Sequence, residues 1–155
     1  MFESHASLPR KRMKASTVYQ REDKVFCHSM SETTEGFWLL SEPVTVAPAA
    51  DAAAIGKDLQ GCLAASRAGV PHPTDLKNVS KPLFALAGVK SATAFSTNAK
   101  SVLVEQDDDG TITLYPTQNG GRREGYIPLM DKIITIPDGE GDLGQRVIEA
   151  LERSE

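Results

Sequence analysis

Ser101-Val-Leu-Val-Glu105, Asp107-Asp-Asp-Gly110 and Thr111-Ile-Thr-Leu-Tyr115 form the clearest pair of strands in this 155-residue chain. Val102 and Val104 alternate with Ser101, Leu103 and Glu105, and Ile112 and Leu114 alternate with threonines. A period of two is the mark of a strand with one face buried. Asp109-Gly110 between the runs predicts a tight hairpin with a type I′ turn.

The same signals recur outward from there. Lys14–Gln20 and Lys24–Met30 are β-like runs around a turn at Arg21-Glu22-Asp23. Gly36–Leu40 is a third run, whose consecutive Phe37, Trp38, Leu39 and Leu40 suit a strand buried on both faces or covered by a helix. Ser41-Glu42-Pro43 should break it, with Pro43 at an edge or a bulge, before Val44-Thr45-Val46 resumes. Asp51 is an N-cap candidate, and Ile55, Leu59, Cys62, Leu63 and Ser66 lie on one helical face. Gly69 should close that helix. Gly56 and Gly61 inside it each cost about 1 kcal/mol relative to alanine, so the helix should be docked rather than free.

Two prolines two positions apart in Ser66-Arg67-Ala68-Gly69-Val70-Pro71-His72-Pro73-Thr74-Asp75 forbid a helix there. Thr74 or Asp75 can cap the next helix, expected over 75–88 and split around Lys81-Pro82. Ser91–Lys100 reads as a short helix or an irregular strand, the helix being preferred. Asn119–Gly125 reads as a long flexible loop, Lys132–Ile136 as a last strand, and Asp142 as the N-cap of an amphipathic C-terminal helix. The fold class is therefore α+β: a mostly antiparallel sheet of about five to seven strands with about two to four helices packed on it. Residues 13–155 form one domain, and 1–12 read as a disordered basic tail, or as a basic arm, with Met13 as an alternative start.

Composition narrows the function. Residues 1–14 carry four basic groups against Glu3, a net of +3; with −4 overall, the other 141 residues hold −7. An acidic body argues against direct nucleic-acid binding and suits a basic protein partner. No run approaches the roughly 20 apolar residues that span a bilayer, and no secretory signal follows the basic N-terminus, so no membrane partner is expected and a cytoplasmic location is. Cys27 and Cys62 read as buried reduced thiols. Their spacing gives no zinc pattern, and no metal or cofactor is expected. No nucleophile elbow or phosphate-binding glycine motif occurs, and outside the tail only His28 and His72 could serve as histidine bases.

Three segments resemble a known family: Gly36-Phe37-Trp38-Leu39-Leu40-Ser41-Glu42-Pro43, then Ser66–Asp75, then Lys81-Pro82-Leu83 with Ala87-Gly88-Val89-Lys90-Ser91. Over residues 13–155 the chain resembles immunity proteins of bacterial contact-dependent growth inhibition systems. That family commonly shows Lys-Ser-Trp where this chain has Lys90-Ser91-Ala92. The resemblance implies a non-enzymatic inhibitor that binds, one-to-one, the C-terminal toxin domain of its own system. Many such toxins are basic nucleases, often acting on tRNA, and the inhibitor would cover the active site or substrate cleft. It implies no catalytic residue.

The candidate contact set is His72, Asp75, Glu105, Asp107, Asp108, Asp109, Glu124 and Tyr126. His72 either fixes its connector or projects from it to a partner. The three aspartates are either a solvated turn or an anionic patch. Phe37 and Trp38 are read as core ahead of contact residues. The rival functions are a small enzyme or ligand-binding domain around His72, Asp75 and Glu42, and a homo-oligomeric scaffold using the C-terminal helix.

Overall fold

A computed structural model describes residues 13–137 and 142–155. The strands are β1 (Lys14–Arg21), β2 (Lys24–Thr33), β3 (Trp38–Pro48), β4 (Ala68–Val70), β5 (Lys100–Gln106), β6 (Ile112–Asn119), β7 (Tyr126–Pro128) and β8 (Ile134–Ile136). The helices are α1 (Ala52–Ala65), α2 (Lys81–Ala87), α3 (Ala92–Ser96), α4 (Gly121–Glu124) and α5 (Leu143–Arg153), with 3-10 turns at Leu76–Asn78 and Met130–Lys132. The order across the sheet is β3-β2-β1-β5-β6-β7, with β8 also on β6 and β4 on β2. Only β4 runs parallel to its neighbour. This is the α+β, mostly antiparallel architecture expected. The strand and helix counts lie just above the expected ranges because three strands have three residues each and α4 has four.

One face of the sheet carries the main core. Val18 lies opposite Cys27 on one side and Val102 on the other, so all three point the same way. Val25, Ala47, Val104, Ile112 and Leu114 join them. α1 covers this face with Ile55, Leu59, Cys62 and Leu63, and α5 with Leu143, Val147, Ala150 and Leu151. Each such side chain, once buried, contributes about 1.5–3 kcal/mol. The two helices cross at glycines. A Cβ on Gly56 would stand 2.9 Å from the Gly144 nitrogen, and one on Gly144 would stand 1.7 Å from the Ala52 carbonyl oxygen. The glycine cost inside α1 is thus offset by a close backbone approach, as docking required.

α1 does not run on to Gly69. It stops at Ala65, because Ser66 is extended and its hydroxyl is taken by the sheet. Ser66 Oγ donates to the Met30 carbonyl and accepts from the Ala15 amide at 3.0 Å, tying β1 to β2. β4 then continues beside β2 where β1 leaves off. Glu32 pairs with Ala68 and Thr33 with Val70, so Gly69 is an extra residue, held at φ 74°. On the other side of β2, β3 is one continuous edge strand, not two. The pairing jumps from His28–Val44 to Ser29–Ser41, so Glu42 and Pro43 bulge out of the ladder. The bulge absorbs the proline where a break was expected.

Three other expectations change in detail. The Asp107–Gly110 turn closes with Gly110 N–H on the Asp107 carbonyl at 3.0 Å, and only Gly110 has positive φ. It is thus a type I turn followed by a left-handed glycine, not type I′. Asn119–Gly125 is not an open loop: Gly121–Glu124 is a helical turn, closed by Gly120 N–H on the Gly125 carbonyl at 2.7 Å. Asp142 caps α5 through its backbone, accepting from Arg146 N–H at 2.9 Å, without a side-chain bond. The tail at 1–12 lies outside the described residues.

The opposite face has a smaller core of Phe26, Leu83 and Phe95, packed by Tyr19, Leu40, Val44 and Phe84. His28 is buried beside it, its Nδ1–H donated to the Ser29 carbonyl at 2.8 Å. Burial lowers its pKa to about 4, against the opposing pull of that carbonyl.

Two measurements check these arrangements. Gly144→Ala should lower the urea-unfolding free energy by about 2 kcal/mol or more by forcing the helices apart. Gly61→Ala, with open space around its Cβ, should raise it by about 0.5–1 kcal/mol. For His28, both states are neutral above pH 6.5; between 6.5 and about 4 the unfolded chain takes a proton that the folded chain refuses. Stability should therefore fall as pH drops through that window, by up to roughly 3 kcal/mol, and His28→Gln should remove that share of the slope.

Candidate functional site

With α1 and α5 on one face, the other face of the sheet is left partly open among the described residues. α2 and α3 cover it only over the Phe26 end. The strand alternation that sends Val102 and Val104 under the helices sends Leu103 and Glu105 to this face. Thr17 and Tyr19 of β1 and His28 and Met30 of β2 share it.

Two depressions run along it. The first, about 430 Å³, lies between Tyr19, His28, Phe84, Phe95 and Tyr126, with Arg122 at its edge. The second, about 990 Å³, lies between Met13, Glu32, Arg67, Leu103 and Glu105. Met30 and Trp38 line both, so the two form one trough. The first is walled by rings: Tyr19 meets Phe95 edge-on at 4.9 Å and Tyr126 at 5.8 Å. Arg21 holds Phe95 from the side, its guanidinium 5.3 Å from the ring centre and its Nε–H on the Phe95 carbonyl at 2.9 Å. Burial, and then the neighbouring Tyr126, push the Tyr19 phenol well above its usual range. Burial also raises Tyr126, against the opposing pull of Arg21.

The expected contact residues fall into separate groups. Glu105 faces the trough and accepts from Tyr115 Oη–H at 2.9 Å. Asp107, Asp108 and Asp109 follow on the hairpin at that end, where Asp109 Oδ1 accepts from Thr111 N–H at 3.0 Å. Glu124 and Tyr126 sit toward the opposite end of β6, beyond Asn119. Glu124 is exposed, and Tyr126 donates its hydroxyl to the Ala99 carbonyl at 3.2 Å. His72 lies beside the end of β2. Thr33 Oγ1 accepts from the Glu35 and Phe37 amides and bonds His72 Nδ1 at 3.0 Å. Asp75 caps the following 3-10 turn through Lys77 N–H at 2.9 Å and also holds the Asn78 amide. His72 and Asp75 thus hydrogen-bond to separate partners, and Glu42 sits on the β3 bulge.

Sequence reasoning passed over the aromatic edge. Phe37 is not core: it is 59% exposed, in tilted ring contact with His72 at 5.5 Å between ring centres, and Trp38 is half-buried at the trough. The cue was the neighbouring Gly36, which has φ 88° and turns the chain just before the strand. Cys27 and Cys62, both free and buried, face each other across the β2–α1 contact. The neighbouring Cys62 thiol and then burial raise Cys27, while Cys27 lowers Cys62, whose thiol donates to the Pro43 carbonyl at 3.7 Å. Among the described residues, no group of three or more His, Cys, Asp or Glu side chains is placed to hold a metal ion. No helix among them is long and apolar enough to cross a membrane.

Comparison with known proteins agrees with this architecture. No curated protein sequence matches the chain. Among solved structures, a protein of unknown function from Neisseria meningitidis superposes with a TM-score of 0.75 at 16% identity, over 96% of this chain and 99% of that one. A chain of the CdiA-CT/CdiI toxin and immunity complex from Yersinia pseudotuberculosis superposes with a TM-score of 0.68 at 16% identity, over 93% and 98%. At such identities the likeness speaks to the fold. The sequence itself matches the family described as CDI immunity protein over residues 14–154. The match spans nearly the whole chain, and the chain belongs to the CDI immunity protein family.

Proposed function

We propose that this protein binds the C-terminal toxin domain of its cognate contact-dependent growth inhibition protein, one-to-one, and neutralises it in the cytoplasm by covering its active site or substrate cleft. The toxin would be a basic nuclease, a tRNase being one form. The observation that carries the reading is the open sheet face, a trough that the chain's own helices leave uncovered, with carboxylates at one end. The family match, and the fold shared with a chain of a toxin and immunity complex, support an immunity role. The charge of −7 outside the first 14 residues favours a cationic partner.

The chemistry divides between rate and lifetime. Glu105 and the Asp107–Asp109 hairpin would draw in the basic groups that a nuclease uses to hold phosphate, raising the association rate. Phe37 and Trp38 offer the large apolar contact area typical of residues that set dissociation. Inhibition by coverage needs no reactive group on the inhibitor, so the chain would act as a non-enzymatic partner.

The test is co-expression with the adjacent toxin domain. A one-to-one complex on a sizing column and restored growth are expected; separate elution and continued killing would reject the reading. Asp108→Lys should slow association several-fold at low salt, the gap closing as salt rises. Phe37→Ala should speed dissociation about tenfold, a loss of about 1.4 kcal/mol.

A further inference from the structure

We propose that the 430 Å³ cleft at the Tyr126 end of the trough is a binding site for a free aromatic carboxylate whose ring carries an N–H or hydroxyl donor. The volume lies within the roughly 300–1,000 Å³ of small-molecule sites. Its walls supply the ring specificity. Tyr19, Phe84, Phe95, Tyr126 and Trp38 line it, and flat ligands gain from edge-on and offset contacts with such rings.

The donor requirement comes from His28. This side chain is 3% exposed and lines the cleft. Its Nδ1–H is committed to the Ser29 carbonyl, so in the neutral ring Nε2 is a lone-pair acceptor. A ligand N–H or O–H would supply that acceptor with a donor inside the cleft. Several other polar groups around the cleft are already engaged. Tyr126 Oη–H is on the Ala99 carbonyl, Asn119 Nδ2 is on the Ser96 and Ala99 carbonyls, and Asn119 Oδ1 accepts from Gly121 N–H. Tyr19, whose ring meets that of Tyr126 at 5.8 Å, offers its hydroxyl as the second polar contact.

The carboxylate requirement comes from the rim. Among the described residues, Arg122 is the one charged side chain in the lining, and none of their carboxylates lines the cleft to neutralise it. It is exposed on α4, at the mouth, where a ligand's anionic group would remain partly hydrated while its ring enters. A cationic ligand would meet only Arg122 there.

The probe is indole-3-acetate, titrated calorimetrically into the full chain. Saturable one-site binding is expected, with a Kd below about 1 mM. 1-Methylindole-3-acetate, which lacks the donor for His28, should bind at least about tenfold weaker, as should tryptamine, which carries an ammonium in place of the carboxylate. His28 is buried and its substitution risks the fold, so Arg122→Ala carries the protein side of the test. It should weaken indole-3-acetate several-fold while leaving the amide spectrum of the free protein otherwise unchanged. Absence of saturable heat at the solubility limit would overturn the proposal. So would equal binding of the methylated or amine probe, an Arg122→Ala chain that binds as well as the parent, or amide shifts centred away from the cleft.

Discussion

The approach of α1 to α5 at Gly56 and Gly144 is the constraint on which the remaining architecture rests. With a backbone nitrogen and a carbonyl where side chains would stand, the two longest helices fit together over one face of the sheet. Their apolar residues then meet the inward residues of β1, β2, β5 and β6 in a single layer. Two helices held farther apart would spill over the sheet edges. Because they do not, the largest core is complete on one side, and the other side keeps only the smaller core around Phe26, Leu83 and Phe95.

A second junction fixes the ends of the strands. Ser66 leaves the helix to bond β1 and β2 together, and Lys14 reaches the Ser66 carbonyl at 3.2 Å. Arg67 and Val70 then accept from the Glu32 and Thr34 amides. The proline-rich connector is thus sewn to the sheet before His72 meets Thr33. At the other side, Ser154 and Glu155 bond Ser101, Thr117 and Asn119. Both seams use backbone groups that would otherwise be unpaired, where a missing partner is costly.

Much of this was legible because it is local. Alternation in Ser101–Tyr115 gave the central hairpin, Asp51 and the Ile55–Leu63 spacing gave α1, and Lys81-Pro82 marked where the 75–88 segment splits. Burial of Cys27 and Cys62 followed from their neighbours. What was not legible depends on partners remote in sequence. Gly69 looks like a helix terminator, yet its positive φ serves a bulge beside Thr33. Glu42-Pro43 looks like a strand break, yet it is extruded while the ladder closes around it. Phe37 and Trp38 look like core, because an apolar run gives no sign of which face finds a cover. The contact set shared that difficulty: Glu105 and the aspartate hairpin lie together, whereas Glu124 and Tyr126 sit at the other end. The trough itself, made by Tyr19, His28, Met30 and Trp38 from three strands, has no signature in any one segment.

Trp38 is the chain's one tryptophan, and it stands where the two depressions join. Its indole emission therefore reports on wetting and crowding of the open face, and stays blind to events beneath α1 and α5. A label-free optical signal for occupancy of that face is built into the molecule. Conversely, melting followed by this fluorophore would register loosening of the β2–β3 margin, while loss of the helical layer calls for circular dichroism.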